Sequence, residues 1–429
     1  MKKNGRNFSL MLSFAHGIDH FTRRLIPPLI PIWALFFGAP LWQIALIPAL
    51  QLFGSALFHI PVGIISDSRD RRYLLPVGTG LHGLTYILFT FAAFNQYLDF
   101  NIYLLGHPFN SRLLVMMMAM FLSGMGTSVL HPTGLPLLTE NIPSEIKGRA
   151  YGMWGGAAKL GDGLGPAFLG ISLLYMDWHM IFILFGIVHI CYAAFMFIEL
   201  GKYKTSPPVI PTELNKPSSN FWKSNPQMYA YPLLAVLAFI SIRGVGDDGL
   251  GTFIPTFVNE IYGYTFEIFG TTVISTSTAA LYYSACLFSA AIFSLISGRL
   301  VDKYDPKLIL IIFSIVAIFP ITILALIELS PLLLLLVLIL LGASIWGAAP
   351  ARDALISSIA PPGREGRTFA YMWTGALTFG SISPIIVGYI GDIGGLKMSF
   401  SIISVFIAVS VIPLFLLYSK KIYVERRSQ

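Results

Sequence analysis

Twelve apolar stretches run along the chain between Phe8 and Ser419, most of them 20 or more residues long. A helix of about 20 residues crosses the roughly 30 Å of a bilayer's hydrocarbon core, and only helices or closed barrels satisfy their backbone there. The spacing predicts helices over 9–37, 42–65, 73–95, 112–139, 149–174 and 178–200, then over 229–258, 268–300, 307–328, 331–359, 367–391 and 397–419. The fold class expected is therefore an all-α membrane protein of twelve transmembrane helices in two pseudo-symmetric six-helix bundles. Only 11% of the 429 residues are charged, against about 25% in soluble domains. No cleavable leader is expected, because the first apolar segment is long and eleven more follow.

The net charge of +7 raises the question of a nucleic-acid partner, which the placement of the 28 Lys and Arg answers. With both termini cytoplasmic, 21 of them fall in inner loops and tails and only Arg112 and Lys397 fall outside. That bias orients a multi-pass protein of the cell (inner or plasma) membrane with the termini inside. No basic stripe interleaved with aromatics stands outside the membrane, so no nucleic-acid partner is expected. Cys191 and Cys286 lie in apolar helices and carry no disulfide or zinc signal.

Residues 201–228 are polar and rich in Pro, Ser, Asn and Lys, and read as a cytoplasmic linker. They separate a bundle at 1–200 from one at 229–429. The two halves resemble each other. The run from Pro143 through Arg149 to Tyr151 matches that from Pro361 through Arg367 to Phe369 at a constant offset. Gly63 to Asp67 matches Gly298 to Asp302, and Asp19 through Pro27 matches Asp247 through Pro255. Repeats of this kind place a substrate near the midplane between bundles and imply alternating access.

On these residues the chain resembles the major facilitator superfamily of secondary transporters over essentially its whole length. The family's motif Gly-x-x-x-Asp-Arg-x-Gly-Arg-Arg/Lys stands here as Gly63, Asp67, Arg71 and Arg72, with Ser68 and Asp70 in place of the first Arg and second Gly. The resemblance implies that Asp67, Arg71 and Arg149, with Asp302 and Arg367 in the second half, work a gate. A helix-end carboxylate meets arginines and a helix N-terminus there. Within the superfamily the chain is most like the fosmidomycin-resistance type of efflux protein, on His16-Gly-Ile-Asp19 and Gly124-Met-Gly126 through His131-Pro132. Helix five carries Gly161-x-x-x-Gly165-Pro166-x-x-x-Gly170, similar to the motif of drug antiporters, and close helix packing explains it equally well. Drug exporters often carry an arginine where helix four here has Phe121. That coupling arginine is not carried over.

Ionisable residues inside a membrane are functional candidates by default. Helix one holds His16, Asp19, His20, Arg23 and Arg24, and helix seven holds Arg243, Asp247 and Asp248. Helices four, five and ten add His131, Lys159 with Asp162, and Arg352 with Asp353. Asp19 is the expected proton-coupling site, with His16, His131 and its repeat mate Asp247. A carboxylate or imidazole in a poorly hydrated cavity exchanges protons as the cavity changes sides. His20, Arg23, Arg24, Lys159, Arg243, Asp248 and Arg352 are the expected substrate-binding set, since guanidinium forks pair with carboxylates and phosphates. His16, Asp19 and His20 share a helix face at metal-ligand spacing, yet titrating residues share it too, and no metal is expected. Gly78-Thr-Gly80-Leu-His82-Gly83 fits a dinucleotide fingerprint, but inside an apolar helix without a preceding strand it reads as packing. No cofactor and no enzymatic activity are expected.

The function expected is proton-coupled efflux of a small anionic or zwitterionic organic solute by a monomer. Its partners are that solute, protons and the lipid bilayer. A proton-coupled importer of an organic anion, or an exporter of a siderophore or metallophore, fits the same residues. A transport-dead sensor fits the charged cavity poorly.

Overall fold

The computed structural model describes residues 3–143, 146–203, 226–268, 270–360 and 365–417. Most of the expected linker lies outside them. Twelve helical spans follow in order. In the first half they are α1 (Lys3–Arg23, then a 3-10 turn Pro27–Leu29 and Ile30–Phe37), α2 (Leu41–Ser68), α3 (Arg71–Phe94), α4 (Ser111–Thr127, a π turn Leu130–Gly134 and Leu135–Asn141), α5 (Lys147–Ser172) and α6 (Trp178–Leu200). The second half has α7 (Pro226–Phe257), α8 (Ser275–Val301), α9 (Pro306–Leu326), α10 (Pro331–Ile345 and Ala349–Ile359), α11 (Glu365–Gly394) and α12 (Leu396–Ser410 and Ile412–Phe415). Nine of the described spans are long and apolar enough to cross a membrane by composition alone. The three below that threshold are α1, α5 and α7, the helices that carry most of the buried charge.

Local chemistry explains where these helices begin and break. Asp70, Asn110 and Asp305 each accept a hydrogen bond from the backbone two residues on and so cap α3, α4 and α9. Asp70 also pairs with Arg72 at 2.6 Å, and that bond holds its carboxyl below the usual range. The capping role is why an aspartate can stand where the family motif has a glycine. Pro27 and Pro28 lack the amides a helix needs, so α1 is broken where one continuous helix was expected. Two antiparallel hairpins, β1 (Asn101–Leu104) with β2 (His107–Asn110) and β3 (Phe266–Ile268) with β4 (Thr271–Val273), fill loops. The second hairpin corrects the expected start of α8 at 268, because Thr271–Val273 pairs as a strand before the helix begins.

The two halves repeat the same close packing. A Cβ on Gly124 of α4 would overlap the carbonyl of Gln51 on α2, and one on Gly342 of α10 would overlap that of Cys286 on α8. These pairs are repeat mates, Gly124 and Gly342 under the spacing that matches Pro143 to Pro361, Gln51 and Cys286 under that of Gly63 to Gly298. Bare backbone is what lets both helix pairs approach so closely. Gly78 likewise abuts Val129 and Gly126, and Gly83 abuts the Gly186 carbonyl, so the glycines of the false dinucleotide fingerprint are packing residues. Gly124→Ala and Gly342→Ala are each expected to cost about 1–3 kcal/mol through overpacking, read as a fall in melting temperature of the purified protein.

The halves touch at the end away from the termini. Asp392 of α11 accepts from the Leu41 and Trp42 amides of α2 at 2.8 and 2.9 Å. Ser284 of α8 donates to the Gly163 carbonyl of α5 at 2.7 Å. Gly148, Gly152, Gly156, Gly163 and Gly170 form one stripe down α5. A Cβ would meet Phe288 at Gly163 and the Ser277 carbonyl at Gly170, but nothing within 4 Å at Gly148, Gly152 or Gly156. One face of one helix thus runs from contact to open space, so the bundles part towards the end that carries the termini.

Candidate functional site

A cavity of about 280 Å³ lies at the seam, lined by α1, α2, α5, α7, α9, α10 and α11. All seven expected substrate residues line it: His20, Arg23, Arg24, Lys159, Arg243, Asp248 and Arg352. Asp247 lines it too. Asp19 and His16 are buried behind it within the first half, and His131 lies on the π turn of α4, exposed.

Asp162 is the hub of the first half. Arg24 Nε donates to its Oδ1 at 2.8 Å and His20 Nδ1 donates to the same oxygen at 3.1 Å, with Lys159 Nζ 3.9 Å from Oδ2. Glycine builds this arrangement. A Cβ on Gly161 or Gly165 would overlap the carbonyls of Gly17 and Phe21, so α5 lies directly against the backbone of α1 and sets Asp162 beneath His20 and Arg24. The glycines of the helix-five motif act here as packing residues. Two cations, Arg24 and Lys159, and an imidazole N–H around one carboxylate offset part of the cost of burying it.

Arg24 also reaches across the seam, its Nη1 donating to the Tyr283 hydroxyl of α8 at 3.0 Å. At the spacing that matches Asp19 to Asp247, Arg23 corresponds to Gly251. A Cβ there would lie 3.5 Å from Arg24 Nη1 and 3.6 Å from the Tyr283 hydroxyl. Gly251 thus borders the contact between Arg24 and Tyr283, at a distance where an added Cβ would sit in ordinary van der Waals contact.

The repeat mates Asp19 and Asp247 are both ion-paired on their own helices, in opposite directions. Arg23 Nε stands 3.5 Å from Asp19 Oδ2, four residues on, whereas Asp247 Oδ1 accepts from Arg243 Nε at 2.7 Å, four residues back. Arg243 also donates to Ser314 Oγ at 2.7 Å and to the Ile345 carbonyl at 3.3 Å, which ties it into α9 and α10. Asp248, the mate of His20, has no hydrogen bond or ion pair among the described residues and lies against Gly380 of α11. Arg352 pairs with Asp353 at 3.0 Å and stacks on Trp373 at 4.4 Å. In the first half Trp154 stacks on His16 at 4.1 Å.

Of the expected gate residues, Arg71 pairs with Glu140 at the end of α4 and donates from Nε to the Ser66 carbonyl at 2.9 Å. Arg149 and Asp302 are exposed. The side chains of Asp67 and Arg367 lie outside the described residues. Sequence reasoning noted Asp162 among the buried charges but gave it no role, and it missed Tyr283, Trp373 and Asp392. Asp162 alone carried a usable signal, being an acid flanked by packing glycines. No group of three or more His, Cys, Asp or Glu among the described residues is arranged to hold a metal ion.

The sequence profile described as Major Facilitator Superfamily matches residues 12–349 and 267–429. An uncharacterized MFS-type transporter of Methanocaldococcus jannaschii is 24% identical over 191 residues, 44% of this chain and 45% of the relative. The chain thus spans about half the length of that relative. Among solved structures, a bacterial homolog of the human lysosomal transporter Spinster, inward-facing and unoccupied, matches over 97% of both chains with 15% identity and a TM-score of 0.76. The xylose transporter XylE from E. coli, in an inward open conformation, matches over 99% of both chains with 14% identity and a TM-score of 0.74. At these identities the likeness is one of fold.

Proposed function

The chain belongs to the major facilitator superfamily, and from that premise we propose that it is a proton-coupled exporter of a small anionic or zwitterionic organic solute. The reading rests above all on the cavity, where five Arg and Lys side chains face three Asp. Arg352, held over the Trp373 ring, offers a planar fork for a carboxylate or phosphonate. Asp248, which has no hydrogen bond or ion pair among the described residues, suits a substrate amine. Bundles 1–200 and 229–429 rock about this site, and the basic bias of the loops supports a cytoplasmic location for the open end. Asp67, Arg71 and Arg149 with Asp302 and Arg367 close that end in the alternate state. The short resemblances in helices one, four and five support export as the direction.

Asp19 carries the coupled proton, with His16, His131 and Asp247 adjusting when it is released. Its buried place beside Arg23 supports this, because protonation would free the guanidinium for the solute. The test uses proteoliposomes and a panel of labelled carboxylates, phosphonates and amino-acid-like zwitterions. At least one is expected to accumulate against its gradient when a pH gradient is imposed, and Asp19→Asn to cut that accumulation at least tenfold. Gradient-driven transport at the wild-type rate in Asp19→Asn would remove Asp19 from the role.

A further inference from the structure

Four histidines of the first half lie in file. Counted from the helix ends nearest the termini, His59 on α2 is 9 residues in, His131 on α4 is 10, His16 on α1 is 13 and His20 is 17. At 1.5 Å per residue the file climbs about 12 Å. Ring centroids are 6.4 Å apart between His59 and His131, 5.0 Å between His131 and His16, and 4.7 Å between His16 and His20. His20 then meets Asp162 at 3.1 Å.

The hydrogen bonds settle which nitrogens are available. His16 Nδ1 lies 3.0 Å from the Trp154 carbonyl, which can only accept, so Nδ1 carries the hydrogen and Nε2 is left as a bare acceptor. That Nε2 is buried without a partner among the described residues, as is Nδ1 of His59. Buried polar atoms are seldom left so, because each costs roughly 1–3 kcal/mol. Trp154 stacks on the ring, and Nε2 is the nitrogen the carbonyl leaves free. His20 has the same tautomer, since Nδ1 faces a carboxylate oxygen. A proton arriving on His20 Nε2 therefore lets the Nδ1 proton pass to Asp162, leaving a neutral ring of the other tautomer and a protonated carboxyl. Charge and protons balance with no further reactant.

We propose that His59, His131, His16 and His20 form a proton relay between the end that carries the termini and the Asp162 carboxylate. The relay rests on the reading of this protein as proton-coupled and adds to it a second route, to Asp162, beside the coupling carboxylate Asp19. The charges around it favour this path over the open cavity. On the cavity side Asp162 is screened by Arg24 and Lys159, with Arg352 beyond, and these cations repel an incoming hydronium. Asp19 and Arg23 flank the file on α1, and Asp248 faces it across the seam. On the far side of α1, His82 of α3 is held by Thr22 at 3.0 Å and Ser123 at 2.8 Å, with His189 of α6 against it. Both nitrogens of His82 are thus engaged, which keeps that pair out of the file.

The proton itself is the probe. The full-length protein in lipid nanodiscs is jumped from pH 8 to pH 6 in weak buffer, and uptake is followed with a soluble pH dye. His16→Phe keeps a ring on Trp154 but has no nitrogen, and His131→Ala empties the next position. Each is expected to slow uptake at least tenfold. Added imidazole is expected to restore the rate in His131→Ala, whereas pyrazole, of the same shape but scarcely basic, is not. If His16→Phe does not fold, His16→Gln serves, keeping a donor for the Trp154 carbonyl without a titratable group. Uptake within twofold of wild type in both variants, or equal rescue by pyrazole, would overturn the relay. The jump needs no solute, so fast, histidine-dependent uptake in a protein that shows no gradient-driven accumulation would defeat coupled transport and leave the relay standing.

Discussion

Asp162→Ala is expected to lower transport at least a hundredfold and to reduce the melting temperature by several degrees. The substitution strands Arg24, His20 and Lys159 around an empty position, and breaking a buried pair by removing one partner costs about 3 kcal/mol or more. The lower end applies here because Arg24 and Lys159 are 28% and 36% exposed towards the cavity, where water screens them. The double change Asp162→Asn with Arg24→Gln separates the two effects. It removes the Arg24 charge together with its carboxylate, leaving only the partly exposed Lys159 uncompensated, and should recover most of the lost stability, but transport should stay absent because both the fork and its partner are gone. Recovery of transport along with stability would make the cluster a structural support only.

Asp392→Ala is expected to move the protein towards the state with its other end open. The N-cap of α2 is Pro40, which has no side chain to offer the first amides of the helix. Asp392 from the opposite bundle takes that role, accepting from Leu41 and Trp42, so α2 is capped only while the halves are closed there. An N-cap is worth about 1 kcal/mol, and charge-assisted bonds are stronger than neutral ones. A loss of about 1.4 kcal/mol shifts the ratio of the two states about tenfold. Spin labels at Tyr97 and Lys397, one in each half at the closed end, with Cys191 replaced by Ser, would read the change as a longer distance population. An unchanged distribution would show that the cap does not hold the closure.

Much of the molecule was legible in the sequence. The spans differ from expectation mainly where Pro27-Pro28 breaks α1 and where the Phe266–Val273 hairpin delays α8. Both are turn chemistry, which hydropathy does not sense. The seven expected substrate residues reach one cavity because charge in a transmembrane helix is tolerated only where it faces protein or water. Asp162 was harder to rank, since its importance comes from three partners on two helices and not from its neighbours in sequence.

Hydropathy and repeat spacing are properties of the chain itself, summed over the length of a span or compared at a constant offset, so the sequence alone determined twelve helices, two related halves and the helices that carry charge. Which charge neutralises which was decided only in three dimensions. Asp19 and Asp247 align as repeat mates, yet one pairs forward with Arg23 and the other back with Arg243. Arg24 leaves its own half to donate to the Tyr283 hydroxyl of the other. Pairing depends on how closely helices cross, and the crossings are set by a few bare glycine contacts between residues far apart in the chain, a relation that no local pattern records.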